Sequence, residues 1–198
     1  MRKGEETRER IVAQAAAVFN VQGYAGTAIG DIMRVTGLEK GGIYRHFDSK
    51  EQIALAAFDY ASGLVRQRFA EKLAGQAHAA DTLIAFVEVF RSYVNNPPLV
   101  GGCPILNTAI ESDDTHPLLR ERAAAVIEEW RALLRATVSG GIGRGEIRPD
   151  VDGEGLALLL IGTMEGAVML AKLLGNPAPL EQSSAHLRQY IEMAVRQR

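Results

Sequence analysis

A single cysteine, Cys103, stands among 198 residues, so no disulfide can close within the chain, and one lone thiol fits a reducing compartment. An excess of charge of either sign is also lacking. Twenty-two Lys and Arg meet 24 Asp and Glu for a net −2, which argues against a wholly basic nucleic-acid binder and makes the distribution of charge the informative quantity. The most apolar run, Gly155 to Ala171, is broken by Glu165 and falls short of the roughly 20 apolar residues a membrane span needs. The opening MRKGEETRER lacks the apolar segment of a secretory signal. Strand-like alternation, internal repeats and low-complexity segments are also missing. So are metal signatures: there is no His-Glu-x-x-His and no Cys-x-x-Cys, and His46, His78, His116 and His186 lie far apart without ligand spacing. What remains is a globular, cytoplasmic, all-α protein with no expected cofactor, metal or membrane, and its 47% hydrophobic content is enough for a core.

Against that background one stretch stands out, Thr27 to Phe47, TAIGDIMRVTGLEKGGIYRHF. It reads as two short helices around a tight turn at Thr36-Gly37-Leu38, with Ile29, Ile32, Leu38, Ile43 and Phe47 inward and polar residues outward. That is the outline of a helix-turn-helix, whose second helix enters a major groove. The first fifty residues hold eight Lys/Arg against six Asp/Glu, so they carry +2 and leave −4 for the remainder. This mild asymmetry agrees with a small DNA-contacting head on an acidic body.

The rest of the chain reads as helices only. A helix over about Thr7–Gln22 presents Ile11, Ala15 and Phe19 on one face and stops at Gly23, while residues 1–6 are expected to be disordered. After Phe47 the run Ser49-Lys50-Glu51-Gln52 is a capping box opening a helix to about Leu73, roughly 24 residues and about 36 Å long. Further helices are expected over about Asp81–Val94, Pro104–Glu111, Pro117–Ser139, Gly153–Leu174 and Leu180–Arg196, giving an all-α fold of about nine helices. In the helix opened by Pro117, Leu118, Val126, Trp130, Leu133 and Leu134 should face inward, and Gly140-Gly141 should end it. The Gly-rich loop Gly140–Asp152 follows no strand, so it is a linker rather than a phosphate cradle. The helix from Gly153 is apolar on nearly all sides and must be covered all round, for which a second copy is the natural cover. The expected domains are residues 1–50 as reader and 51–198 as the ligand-binding and dimerisation body.

The run Gly37, Lys40, Gly41, Ile43, Tyr44 and Phe47 resembles the DNA-binding region of the TetR family of bacterial regulators, strongly over residues 7–53 and more weakly beyond. The resemblance implies that Lys40, Tyr44 and Lys50 contact phosphates and that Thr27 and Ala28 touch the DNA backbone. It also implies that Gly42, Arg45 and His46 face base edges. Gly41-Gly42 is unfavourable in a helix by roughly 1 kcal/mol per glycine, and close backbone approach to the sugar-phosphate wall is a reason to keep it. Arg45 could pair with guanine or be one more phosphate contact, and Glu39 could accept from cytosine or cap the helix and repel phosphate.

Phe90, Tyr93, Asn107, Trp130 and Glu165 are candidates for lining an effector cavity, with core packing as the competing reading for each. Glu165 stands apart because a carboxylate inside an apolar helix is costly unless paired or facing a cavity. The stretch GGCPILNTAIESDD resembles a Gly-Cys-Pro/Leu-x-x-Asn motif in one branch of the family, some of whose members respond to electrophiles or oxidants. Cys103 near a helix N-terminus is placed to favour a thiolate, although free cysteine is usually a buried small hydrophobe. The expectation is a ligand-responsive repressor, dimeric through its last two helices, that binds a palindromic operator and is released by a small molecule. The rivals are an all-α enzyme and a protein-binding adaptor.

Overall fold

The structure, a computed structural model, describes residues 3–198. It contains α1 (Lys3–Gly26), α2 (Ile29–Thr36), α3 (Lys40–Tyr44), α4 (Lys50–Leu73) and α5 (Ala79–Arg91). After a 3-10 turn at Ser92–Val94 come α6 (Pro104–Ser112), α7 (Pro117–Gly143), α8 (Gly153–Leu174) and α9 (Ala178–Tyr190), then a π turn at Ile191–Val195. One isolated antiparallel bridge, Ile147 to Arg196, is the only β pairing among the described residues. The protein is all-α, as its periodicities imply.

The chain divides into two compact units: residues up to Val65 with Pro98–Ala124, and Arg66–Pro97 with Ala125–Arg198. The first unit is larger than the reader drawn at residue 50, because α6 and the loop before it are fastened to α1 by hydrogen bonds described below. Its core gathers Ile11, Val12, Ala15 and Ala16 of α1 with Ile32, Ile43 and Phe47 of the reader and Ile53, Ala57 and Ala61 of α4. The three- and four-residue spacing on α1 and α4 places these side chains on one stripe each, and every buried Ile or Phe contributes about 2 kcal/mol through removal from water.

Residues 3–6, expected to be disordered, belong to α1; Glu5 and Glu6 in its first turn complement the positive end of the helix, while residues 1 and 2 lie outside the described residues. Gly23 does break the helical path, with φ 76 and ψ 170, before a last short turn. The capping box at α4 is also present in altered form. Ser49 Oγ accepts the Gln52 N–H at 3.1 Å, and Gln52 reaches back to Asp48 rather than Ser49, accepting its N–H at 3.0 Å.

In the second unit Phe69, Phe86, Phe90 and Trp130 pack ring to ring with centroids 4.9 to 6.1 Å apart. Two expectations about α7 need correction. The helix runs through Gly140-Gly141 to Gly143, and buried Gly141, where a Cβ would meet Ala79 Cβ at 2.6 Å, serves close packing rather than a helix stop. Leu118 and Leu133 are exposed at 46% and 38%, whereas Val126, Trp130 and Leu134 are buried as expected, in a stripe completed by Leu119, Ala123 and Val138. Adjacent leucines at 118-119 and 133-134 leave the phase of the stripe ambiguous by one residue.

α8 opens with Asp152 accepting the Glu154 N–H at 3.0 Å and closes at left-handed Gly175, φ 59. Its 22 residues are long and apolar enough to cross a membrane by length and composition only, a test that a core helix also passes; 44% of its most apolar window is buried inside the protein. The chain end is tied down where the Arg148 N–H donates to Val195 O at 3.0 Å and the Gln197 N–H to Glu146 O at 2.9 Å.

Candidate nucleic-acid interface

The reader is built from α2 and α3. α2 starts at Ala28, whose N–H donates to Asp31 Oδ2 at 2.9 Å, so the acidic side chain satisfies a group the helix cannot. Asp31 also pairs with Arg34 at 2.8 Å. The helix ends at Gly37, whose left-handed backbone, φ 66, lets its N–H donate to Met33 O at 2.9 Å. The Thr36 hydroxyl donates to Ile32 O at 2.7 Å and the Leu38 N–H to Thr36 Oγ1 at 3.3 Å, which locks the tight turn. Glu39 then takes the N-cap position of α3 in an extended conformation with no side-chain capping bond. Its exposed carboxylate therefore does not cap the helix, one of the roles considered for it.

The inner face of this hairpin is Ile32 and Ile43, both fully buried, and Phe47, with Ile29 and Leu38 partly buried against them. The outer face carries Lys40, Gly41 and Arg45 exposed, with Gly42, Tyr44 and His46 half-buried. A Cβ at Gly41 would meet nothing within 4 Å and one at Gly42 only Leu38, so neither glycine is required by packing among the described residues. Their absence of side chains leaves the α3 surface low between Lys40 and Arg45. Lys40 Nζ sits 5.9 Å from the Tyr44 ring centroid. Neither Lys40 nor Arg45 forms an ion pair among the described residues, which leaves both cations to an anionic partner.

Two of the nine residues assigned to DNA contact have other work. Thr27 is 1% exposed and its hydroxyl donates to Gly23 O at 2.6 Å, so a side-chain contact to DNA is not open to it, and of the pair only Ala28 is exposed. Lys50 Nζ donates to Tyr24 O at 2.7 Å and Thr27 O at 3.0 Å and lies 4.2 Å over the Tyr24 ring. Burial, and after it the Glu51 carboxylate, push the Tyr24 phenol above its ordinary range.

The residues assigned to an effector cavity divide. Phe90 and Trp130 are 5.5 Å apart and Phe90 and Tyr93 5.7 Å apart, part of the second unit's aromatic cluster, and Glu165 is buried in the same unit at 6% exposure. Cys103 and Asn107 belong to the first unit. Cys103 is fully buried at the N-cap of α6, as a small apolar residue would be. The Asn107 amide donates to Asn20 Oδ1 at 2.9 Å, to Asn20 O at 3.0 Å and to Gly101 O at 2.9 Å, which makes it a strut between α6 and α1. Asn20 and Glu111 were missed altogether. Asn20 is a polar residue on the otherwise apolar face of α1, the one signal available for it.

Comparison with known proteins fits this geometry. A family model described as bacterial regulatory proteins, tetR family, matches residues 11–57, and a second, described as tetracyclin repressor-like, C-terminal domain, matches residues 79–187. The chain belongs to the TetR family. A TetR transcriptional regulator from Chloroflexus aurantiacus, known as a crystal structure, is 69% identical, superposes with a TM-score of 0.98, and each chain covers 100% of the other. An uncharacterised HTH-type transcriptional regulator of Mycobacterium tuberculosis is 32% identical over 187 residues, 91% of this chain and 92% of the relative. The HTH-type transcriptional repressor DhaR of a Mycobacterium species is 29% identical over 180 residues, 88% of this chain and 87% of the relative. As a TetR family member the protein is a DNA-binding transcriptional regulator and not an enzyme.

Proposed function

We propose that the protein is a homodimeric repressor that reads a near-palindromic operator with α3 and is released when a small molecule enters its second unit. The observation that carries the DNA-reading part is the flush outer face of α3, where Lys40 and Arg45 flank a glycine pair over a buried apolar hairpin. Lys40 and Tyr44 are assigned to phosphates, Gly42, Arg45 and His46 to base edges, and Ala28 and Gly41 to close backbone contact. A repressor role is favoured by similarity to DhaR.

Dimerisation through the last two helices is supported by an unpartnered apolar face on α8 and α9. Leu158, Leu159, Met169, Leu170 and Leu173 are 42 to 76% exposed, with Tyr190 and Met193 beside them. Between the two helices runs an open groove of about 700 Å³ lined by Leu159, Thr163, His186, Tyr190 and Met193. A contiguous apolar face of this kind is a contact surface, and a two-fold pair of chains suits a palindromic operator, whose half-sites lie about 34–36 Å apart. An effector that binds better to a state with the readers wrongly spaced would release the DNA. The candidates to meet it are Phe90, Tyr93, Trp130 and Glu165.

The test is selection of duplexes from a randomised library by the full-length protein, followed by binding isotherms on the selected and a scrambled duplex at several salt concentrations. A selective, salt-dependent preference supports the reading. Equal affinity for both duplexes refutes it. Thiol sensing is tested separately: a Cys103→Ser protein that still lets go of the selected duplex on oxidant exposure rules it out.

A further inference from the structure

Between the Gly23 break and the start of α2 lies a short turn, Tyr24 to Thr27, whose polar main-chain groups are gripped from two directions. Glu111, on α6, accepts the Tyr24 N–H at 2.8 Å and the Ala25 N–H at 2.9 Å. Lys50, at the start of α4, donates to the carbonyls of Tyr24 and Thr27. The anion thus holds the N–H end of the turn and the cation its C=O end, each complementing the local backbone dipole. Gly23 makes room for this: at its φ of 76 a Cβ would lie 2.6 Å from both Glu111 oxygens. α6 is itself held to α1 by Asn107 and Asn20, and the Asn20 amide also donates to Val100 O at 2.8 Å. Beside the carboxylate a cavity of about 30 Å³, lined by Phe19, Tyr24, Phe58 and Thr108 among others, adjoins the turn, while the Tyr24 ring packs edge-on against His116 with centroids 4.5 Å apart. Hydrogen bonds to Glu111 and Lys50 therefore fix the main chain of the turn, alongside the buried Thr27 hydroxyl, which donates to Gly23 O, and the packing of the Tyr24 ring.

We infer that Glu111 and Lys50 are positioning residues for operator recognition: they fix the turn from which α2 and α3 project, and they govern DNA affinity without touching DNA. The inference rests on the DNA-reading function proposed above and assigns Lys50 a role different from the phosphate contact implied by family resemblance.

Charge makes the test decisive. Glu111→Gln removes a negative charge from a DNA-binding protein, which by long-range attraction alone tightens binding to any duplex. The clamp requires the reverse for the selected duplex, a loss of about tenfold, because a charge-assisted acceptor of two N–H groups is replaced by a weaker one. The scrambled duplex should be bound as before or more tightly. Lys50→Met should weaken the selected duplex without changing the salt slope, whereas Lys40→Ala should reduce that slope by about one counterion. Tighter or unchanged binding of the selected duplex by Glu111→Gln overturns the inference, and so does a slope reduction in Lys50→Met equal to that of Lys40→Ala. A measurement on the unaltered protein stands apart from folding effects: the Tyr24 and Ala25 amides should resist hydrogen exchange as strongly as the α1 interior, and rapid exchange there overturns the clamp. If the wild-type protein selects no duplex at all, the DNA-reading proposal fails while amide protection still decides whether the clamp exists.

Discussion

Replacing Gly141 by alanine sets two effects against each other. In a helix interior alanine is favoured over glycine by about 1 kcal/mol, so by propensity alone the variant gains stability. The new Cβ, however, would lie 2.6 Å from Ala79 Cβ and 2.8 Å from Ile147 Cδ1. Ala79 has no rotamer to turn away, and α5 is anchored at this point by its own N–H donating to Glu146 Oε2 at 2.8 Å. Overpacking of a filled site costs about 1–3 kcal/mol, so the net is destabilisation of about 1 kcal/mol. The neighbouring Gly140 provides the control, since its Cβ would meet only Arg144 Nη1 at 3.2 Å, the far end of a flexible side chain whose Nε and Nη2, not Nη1, bond Glu146. Gly140→Ala should therefore gain up to about 1 kcal/mol, opening a gap of about 2 kcal/mol between the two variants, or about 4–8 °C in a protein of this size. Urea midpoints and thermal unfolding followed by far-UV circular dichroism measure it. Gly141→Ala equal to or more stable than Gly140→Ala would refute the close approach and, with it, the continuation of α7 through the glycine pair.

Other expected outcomes concern the reader, the apolar face and acid. Lys40→Ala should weaken all duplexes alike, while Arg45→Ala should change which duplex is selected, by about 1–3 kcal/mol at one base pair; unaltered preference in Arg45→Ala places that residue on phosphate instead. Met169→Glu with Leu173→Glu, at positions 50% and 76% exposed, should leave the helix content intact and convert the dimer to monomer in sedimentation, and a persisting dimer puts the interface elsewhere. The Glu146 carboxyl is held at about 2 instead of 4.5, first by its hydrogen bond from Arg144 and next by the Ala79 N–H. Its ionised form therefore stabilises the folded chain above pH 4.5, and that contribution is lost as the pH falls towards 2. The urea midpoint of wild type should exceed that of Glu146→Gln at neutral pH and converge on it in acid; a gap that does not narrow refutes the assignment.

What the sequence made legible is what depends on neighbours along the chain. The limits of α8, Gly153 and Leu174, agree with those expected, because Asp152 is a strong N-cap and Gly175 a strong stop. Ile32, Ile43 and Phe47 are buried as the reader's periodicity requires. The misses have a different origin. Gly141 reads as a helix terminator unless one knows that Ala79 and Ile147 pack against it. The phase of α7 turned on one residue in two leucine pairs. Lys50 and Glu111 find their partners 23 to 87 residues away, and a charged residue on a helix carries no local mark of such a partner. The reader was visible for the same reason: a helical hairpin and its exposed cations lie within 21 consecutive residues.

Trp130 is the chain's one tryptophan, and it lies among the rings of the second unit. Its emission therefore reports on that unit alone, whereas far-UV ellipticity sums helices from both. Heating the protein while following the two signals together separates melting in one step from melting in two. A mismatch between the curves would mean that the DNA-reading half keeps its own stability, independent of the half that bears the indole.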